Sequence, residues 1–228
     1  MAIFEFNVLR RTFLTLPPQS LTANRTLPYP SSTVYAIIAD VSSYQTFLPY
    51  CLSSRVTAWS APHPETQQSY PSEATLVVGW GNIKETFTSS IYCVPGRVVE
   101  AIGGATKTRL RDDEIAHHKK SSRRLTSPGT ASVPEKPRDA GDQSILTHLS
   151  TRWTLRPFPY KPPVPGEDGT PKDRTEVMLS LEFQFANPVY AALSQAAAPK
   201  VAGMMIEAFE KRIREVIEGS DGAGNKGA

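Results

Sequence analysis

The chain has 228 residues, 39% of them hydrophobic, with 25 Lys+Arg against 22 Asp+Glu, 20 Pro and 2 Cys. The length fits one domain with tails, and the apolar share is below the ~45–50% of an average globular chain, so part of the sequence belongs to no core. The absence of a run of roughly 18 apolar residues excludes an ordinary membrane-spanning helix, a net charge of +3 is too small to imply nucleic acid, and two cysteines exclude a disulfide-stapled mini-domain or a four-Cys zinc site.

Residues 1–21 include IFEFNVLRRTFLTL, apolar with Arg10, Arg11 and the single acid Glu5. They read as an N-terminal arm laid on a membrane or as a presequence remnant. A first strand follows. Ser31 or Ser32 then caps a helix through Val34, Ile37 and Ile38, and a short helix over 43–48 ends at Pro49. Ala74, Leu76, Val78 and Trp80 alternate with Thr75, Val77 and Gly79. Ile83, Phe87, Ile91 and Cys93 share a parity, with Lys84, Thr86, Thr88 and Ser90 opposite. Gly81-Asn82 between these runs predicts a hairpin. A short strand over 97–102 comes next.

Residues 104–143 carry no aromatic side chain, and their large apolar residues are Leu110, Ile115, Leu125 and Val133. Such a stretch buries too little to offset its ordering entropy, which predicts a mobile insertion. Its nine Lys+Arg and six Asp+Glu account for the whole +3 charge, leaving the rest near neutral. Ile145, Leu149, Trp153 and Leu155 then share one strand face, with His148, Ser150, Arg152 and Arg156 on the other. A Pro-rich loop over 157–171 leads to Val177, Leu179, Leu181, Phe183 and Phe185, alternating with Ser180, Glu182 and Gln184. Asn187 and Pro188 open a long helix whose stripe runs from Tyr190 to Val216, with an interruption or kink expected at Pro199. Residues 219–228 read as a flexible tail. One apolar and one wet face per strand predicts an antiparallel sheet covered on one side. The fold class is therefore α+β: one domain over 22–218, a curved antiparallel sheet of about seven strands around a long C-terminal helix.

The run LPYPSSTVYAIIADVSSYQTFLPYCLSSRV (27–56) resembles the opening of the mitochondrial coenzyme Q-binding protein family, and its segment 39–51 is the most specific part. HLSTRWTLRPF (148–158) and AFEKRI (208–213) are similar to that family's later strand and helix end. The resemblance implies a START-like helix-grip fold, within a superfamily that includes polyketide cyclases. It implies a non-enzymatic binder of ubiquinone and its polyprenyl tail, with no catalytic residue, no metal and no cofactor beyond the bound ligand. The implied place is the matrix side of the inner mitochondrial membrane, in peripheral contact with it. The implied role is a carrier or chaperone serving respiratory electron transfer and quinone synthesis, with partners among the proteins of those processes and no nucleic acid.

A sheet gripping a helix can enclose a mostly apolar site. Val78, Trp80, Phe87, Trp153, Leu181, Phe183, Val201, Met204, Met205 and Phe209 are the expected lining, the alternative being that they only pack against one another. Phe47, Leu48, Pro49 and Tyr50 sit where a helix gives way to a loop and read as a lid or membrane-touching lip, or else as a plug of the core; Tyr50 has a hydroxyl to offer a quinone oxygen. Glu85 falls on the apolar parity of its strand, as a ligand-orienting group, or else as an edge position or the partner of an Arg. His117-His118 reads as part of a solvated loop, His148 as exposed or satisfied, and Cys51 and Cys93 as free thiols. Lys119, Lys120, Arg123 and Arg124 form a basic cluster suited to anionic lipid or simply solvated. Two rival functions stay open: a START-like cyclase or hydratase using Glu85, Thr147, Thr151 and Tyr50, and a ribosome-associating protein.

Overall fold

The computed structural model describes residues 18–80, 83–104, 106–119, 123–124, 146–157 and 174–223. Its strands are β1 (Gln19–Leu27), β2 (Cys51–Trp59), β3 (Pro71–Trp80), β4 (Ile83–Val94), β5 (Val98–Gly104), β6 (Arg123–Arg124), β7 (Leu146–Pro157) and β8 (Thr175–Phe185). They form one antiparallel sheet in the order β1-β8-β7-β5-β4-β3-β2-β6, in which β6 is only a two-residue edge piece on β2. The helices are α1 (Ser31–Ala39), α2 (Ala116–Lys119) and α3 (Pro188–Ala223), with a 3-10 turn over Val41–Thr46. This is the expected α+β architecture of seven substantial strands and a long C-terminal helix.

Alternation along the strands decides which side is covered. Ile91, Cys93, Val99, Trp153, Leu155, Val177 and Leu179 are buried on the concave face. Against them α3 places Ala202, Ile206, Phe209 and Ile213, spaced so that they share one side of the helix. Val34, Ile37 and Ile38 of α1 close the same core.

Several expectations need correction. No serine caps α1: Pro30 holds the cap position with no side-chain bond, and its carbonyl accepts the Val34 N–H at 3.1 Å. The helix expected over 43–48 is the 3-10 turn, which starts at Val41 and ends at Thr46. Pro188 does begin α3, but Pro199 does not interrupt it. One missing N–H is a local loss in a helix of 36 residues. Residues 219–223, expected in a flexible tail, are its last turn.

The largest correction concerns the insertion. Residues 106–119 pack on the convex face of the sheet. Ile115 is fully buried with Val94 and Val98, and Leu110 and Tyr92 lie alongside. His117 and His118 are buried as well, not solvated. β3 starts at Pro71, which has no N–H, and its pairing with β4 ends at Ser90, so the Cys93 N–H has no β3 partner. His118 fills that gap: its Nε2 accepts the Cys93 N–H at 2.9 Å. Its Nδ1 must then carry the proton and donate to Ser72 Oγ at 3.0 Å. Burial, followed by the neighbouring His117, pushes the His118 pKa down to about 4, so the ring is neutral. Farther along, Thr106 bonds His148 Nδ1 at 2.9 Å, and Arg109 reaches both Glu182 oxygens at 3.3 and 3.2 Å. Thr108 donates to the buried Glu100, which also takes Arg152 Nε at 2.8 Å. Polar bonds, together with the small apolar cluster around Ile115, hold this arm down. The rest of the insertion apart from β6 lies outside the described residues, as do residues 1–17, 158–173 and 224–228.

Candidate functional site: a trough between the sheet and the last helix

Neighbouring strands set the concave face in rows. Cys93, Val99, Trp153 and Leu179 stand side by side across β4, β5, β7 and β8. All four are buried, and this row is a sealed floor. The Phe209 ring lies 4.6 Å from Trp153, 5.0 Å from Phe47 and 5.2 Å from Tyr44, all edge-on. The space left below, among Leu27, Ile38, Trp153, Phe209 and Ile213, is only ≈ 10 Å³, hardly enough for one water.

The next rows are open. Ile91, Ala101, Thr151 and Leu181 form the first of them. Only Ile91 is buried; the other three are half-buried. Beyond, toward the β3–β4 hairpin, Leu76 pairs with Phe87, Val78 with Glu85, and Gly103 with Leu149. All are half-buried, although their parity turns them toward α3. Val201 and Met205 of α3 are half-buried too. The half-buried side chains above the floor, mostly apolar with Glu85 among them, outline a candidate trough between the sheet and α3.

The expected lining divides between these levels. Trp153 and Phe209 belong to the sealed floor. Val78, Phe87, Leu181, Val201 and Met205 stand in the open part, and Phe183 is buried there beside Phe185, ring centres 5.6 Å apart. Met204 lies roughly 140° around the helix from Phe209 at 3.6 residues per turn, which takes it off this stripe. The Trp80 side chain lies outside the described residues.

The segment 47–50 also divides. Its position is fixed by the 3-10 turn, which Ser54 clasps by donating Oγ–H to the Val41 carbonyl at 2.5 Å. Tyr44 OH donates to the Ile38 carbonyl. Phe47 then drops into the floor, and Leu48 packs on the core. Pro49 is half-buried. Tyr50 is 36% exposed at the rim, with φ 65°, a conformation costly for a non-glycine residue. Its carbonyl accepts the Gly79 N–H at 2.9 Å, which sets it beside Val78. Next comes Leu52, 59% exposed, at a bulge where Cys51 pairs with Val78 and Ser53 with Val77. Sequence reasoning missed Leu52, because alternation cannot show a bulge.

Glu85 apart, the reactive-looking side chains are absorbed elsewhere. Glu85 shares the concave face with Val78. His148 is held by Thr106, with Glu182 at 3.8 Å. His117 packs 4.8 Å from the His63 ring, and burial lowers its pKa. No group of three His, Cys, Asp or Glu among the described residues could hold a metal. Both cysteines are free, and burial pushes Cys93 up to about 12, too high for a thiolate at neutral pH. A separate recess of ≈ 480 Å³ on the convex face is lined by polar groups such as Glu73, Ser90 and Lys107. No helix among the described residues is long and apolar enough to cross a membrane.

A curved antiparallel sheet closed by one long helix over an apolar trough defines the START-like helix-grip class. A START superfamily protein from Mycobacterium smegmatis superposes with a TM-score of 0.54 at 12% identity, covering 86% of this chain and 98% of that one. The chain belongs to the polyketide cyclase/dehydrase and lipid transport family, whose model matches residues 27–210. It is 25% identical over 198 residues to the mitochondrial coenzyme Q-binding protein of Schizosaccharomyces pombe, across 86% of this chain and 88% of that protein. The protein of the same name from Eremothecium gossypii is 26% identical over 213 residues, 90% of this chain and 80% of that one.

Proposed function

We propose that this chain is a non-enzymatic ubiquinone-binding protein, a carrier or chaperone at the matrix side of the inner mitochondrial membrane that serves respiration and quinone synthesis. The observation that carries the reading is the open half of the trough: apolar walls at Val78, Phe87, Leu181 and Met205 that face the helix yet stay half-exposed above a sealed floor. A hydrocarbon tail fits there. Each buried methylene contributes about 0.8 kcal/mol, so a few isoprene units offset ordering costs of several kcal/mol. The names of the two relatives supply the quinone and the organelle. Peripheral membrane contact is supported by Tyr50 and Leu52, exposed beside the open end, since an aromatic with a polar tip suits the membrane interface.

The test is to purify the protein from a respiring host, extract it and identify bound lipid by mass spectrometry, then add ubiquinone back to the stripped protein. Ubiquinone in the extract and restored binding are expected. No quinone in the extract and no binding on adding it back would overturn the reading.

A further inference from the structure

Ser89 of β4 stands between Phe87 and Ile91 on the concave face and is only 6% exposed. Its hydroxyl has no hydrogen-bond partner among the described residues. Among the described residues the buried side-chain atoms without a partner are Tyr35 Oη, His117 Nε2 and His148 Nε2, so the Ser89 oxygen keeps some access from the trough. Thr151 of β7, half-buried beside Ala101, has an equally unpartnered hydroxyl. The strand between them, β5, presents only Ala101 and Gly103 to the trough. A Cβ placed on Gly103 would meet nothing closer than 3.6 Å, the nearest side-chain atom being Ser89 Oγ. These residues make a shallow dip directly above the floor, with one hydroxyl on each side. Above the dip, Val78, Leu181 and Met205 offer no donor.

We infer that the trough binds its ligand head first: the oxygen-bearing ring lies in the dip against the Ser89 and Thr151 hydroxyls, and the tail runs out past Leu181 and Met205 to the rim. This rests on the quinone reading above. A ubiquinone head carries carbonyl and methoxy oxygens, which only accept hydrogen bonds. The dip supplies two hydroxyl donors, and the remaining wall, Glu85 apart, supplies apolar surface. The opposite orientation would leave the two hydroxyls against hydrocarbon and would place the ring at the rim.

The experiment compares decylubiquinone with n-dodecane, a chain lacking the head, by calorimetric titration of the wild-type protein and of Ser89→Ala, Thr151→Val and Thr151→Ser. Losing one neutral hydrogen bond predicts decylubiquinone affinity lower by about three- to tenfold for Ser89→Ala and for Thr151→Val. Thr151→Ser keeps the hydroxyl and should bind like wild type, and dodecane affinity should not change in any variant. Thermal melts of each variant confirm folding. Variants that hold decylubiquinone within twofold of wild type overturn the orientation while leaving the quinone reading intact. Equal losses for both ligands also overturn it, because they mark a packing effect. A wild-type protein that binds dodecane but not decylubiquinone fails the quinone reading itself, and the orientation falls with it.

Discussion

The two faces of the sheet treat polar groups differently. On the convex face, Glu100 is buried but held by Arg152 and Thr108. Glu182 is gripped by Arg109, and the Cys93 N–H is met by His118, although the Nε2 atoms of His117 and His148 stay buried without a hydrogen-bond partner. On the concave face, Ser89 and Thr151 have no partner among the described residues, and a wall of apolar side chains stays half-exposed. Where the fold needs a surface closed, it brings side chains from 8 to 73 residues away to close it. Where it leaves donors and apolar walls unmet, the proposed ligand would be the partner. Within the concave face the same contrast recurs between the packed floor and the open rows above it.

The strongest way to sharpen that contrast is to cut into the floor. Phe209 touches Trp153, Phe47 and Tyr44 and is 3% exposed. Phe209→Ala should cost about 3–5 kcal/mol of stability, read from urea denaturation, because the packed floor cannot collapse to fill the space. A loss below about 1 kcal/mol would show that the floor is not sealed.

The convex latch can be broken with acid. His118 ordinarily titrates near 6.5 when unfolded and near 4 when folded. The folded pKa is depressed, so the stabilising contribution is present above about 6.5. Below that, the unfolded chain takes up the proton first, and stability declines as the pH falls toward about 4. The difference amounts to about 3 kcal/mol in order of magnitude. His117, lowered by burial and then by His63, acts in the same direction. Urea unfolding at pH 7.5 and 4.5 should show this loss, and His118→Asn should show much less of it. An identical pH dependence in the variant would remove His118 from the latch.

Much of this contrast could be read from residues. Strand alternation put Val78, Phe87, Trp153, Leu181 and Phe183 on one face, and helical spacing put Phe209 against them, because both signals are local and periodic. The convex latch was not legible. Between 106 and 119 the apolar content is small, and what orders the arm is a set of bonds to Ser72, Cys93, Glu100 and Glu182, which sequence spacing does not reveal. Backbone irregularity hid the rim as well: nothing marks Tyr50 as left-handed or Leu52 as bulged. Met204 entered the lining only because a broad stripe blurs which side of a helix a residue takes. Ser89 was within reach, since it shares the parity of Phe87 and Ile91, but a lone serine in a strand draws no notice until its burial is known.

The central claim is that the open rows of the trough, not the floor, hold the ligand. Ala101→Phe tests it most directly, because it fills the dip above the floor without touching the Trp153–Phe209 contact. Overpacking a closed core typically costs about 1–3 kcal/mol, whereas an open trough has room for the ring. Titrating wild-type and Ala101→Phe protein with decylubiquinone, alongside thermal melts, should show a melting temperature held or raised and binding reduced at least tenfold. A variant that keeps its stability and binds decylubiquinone as tightly as wild type would contradict the account.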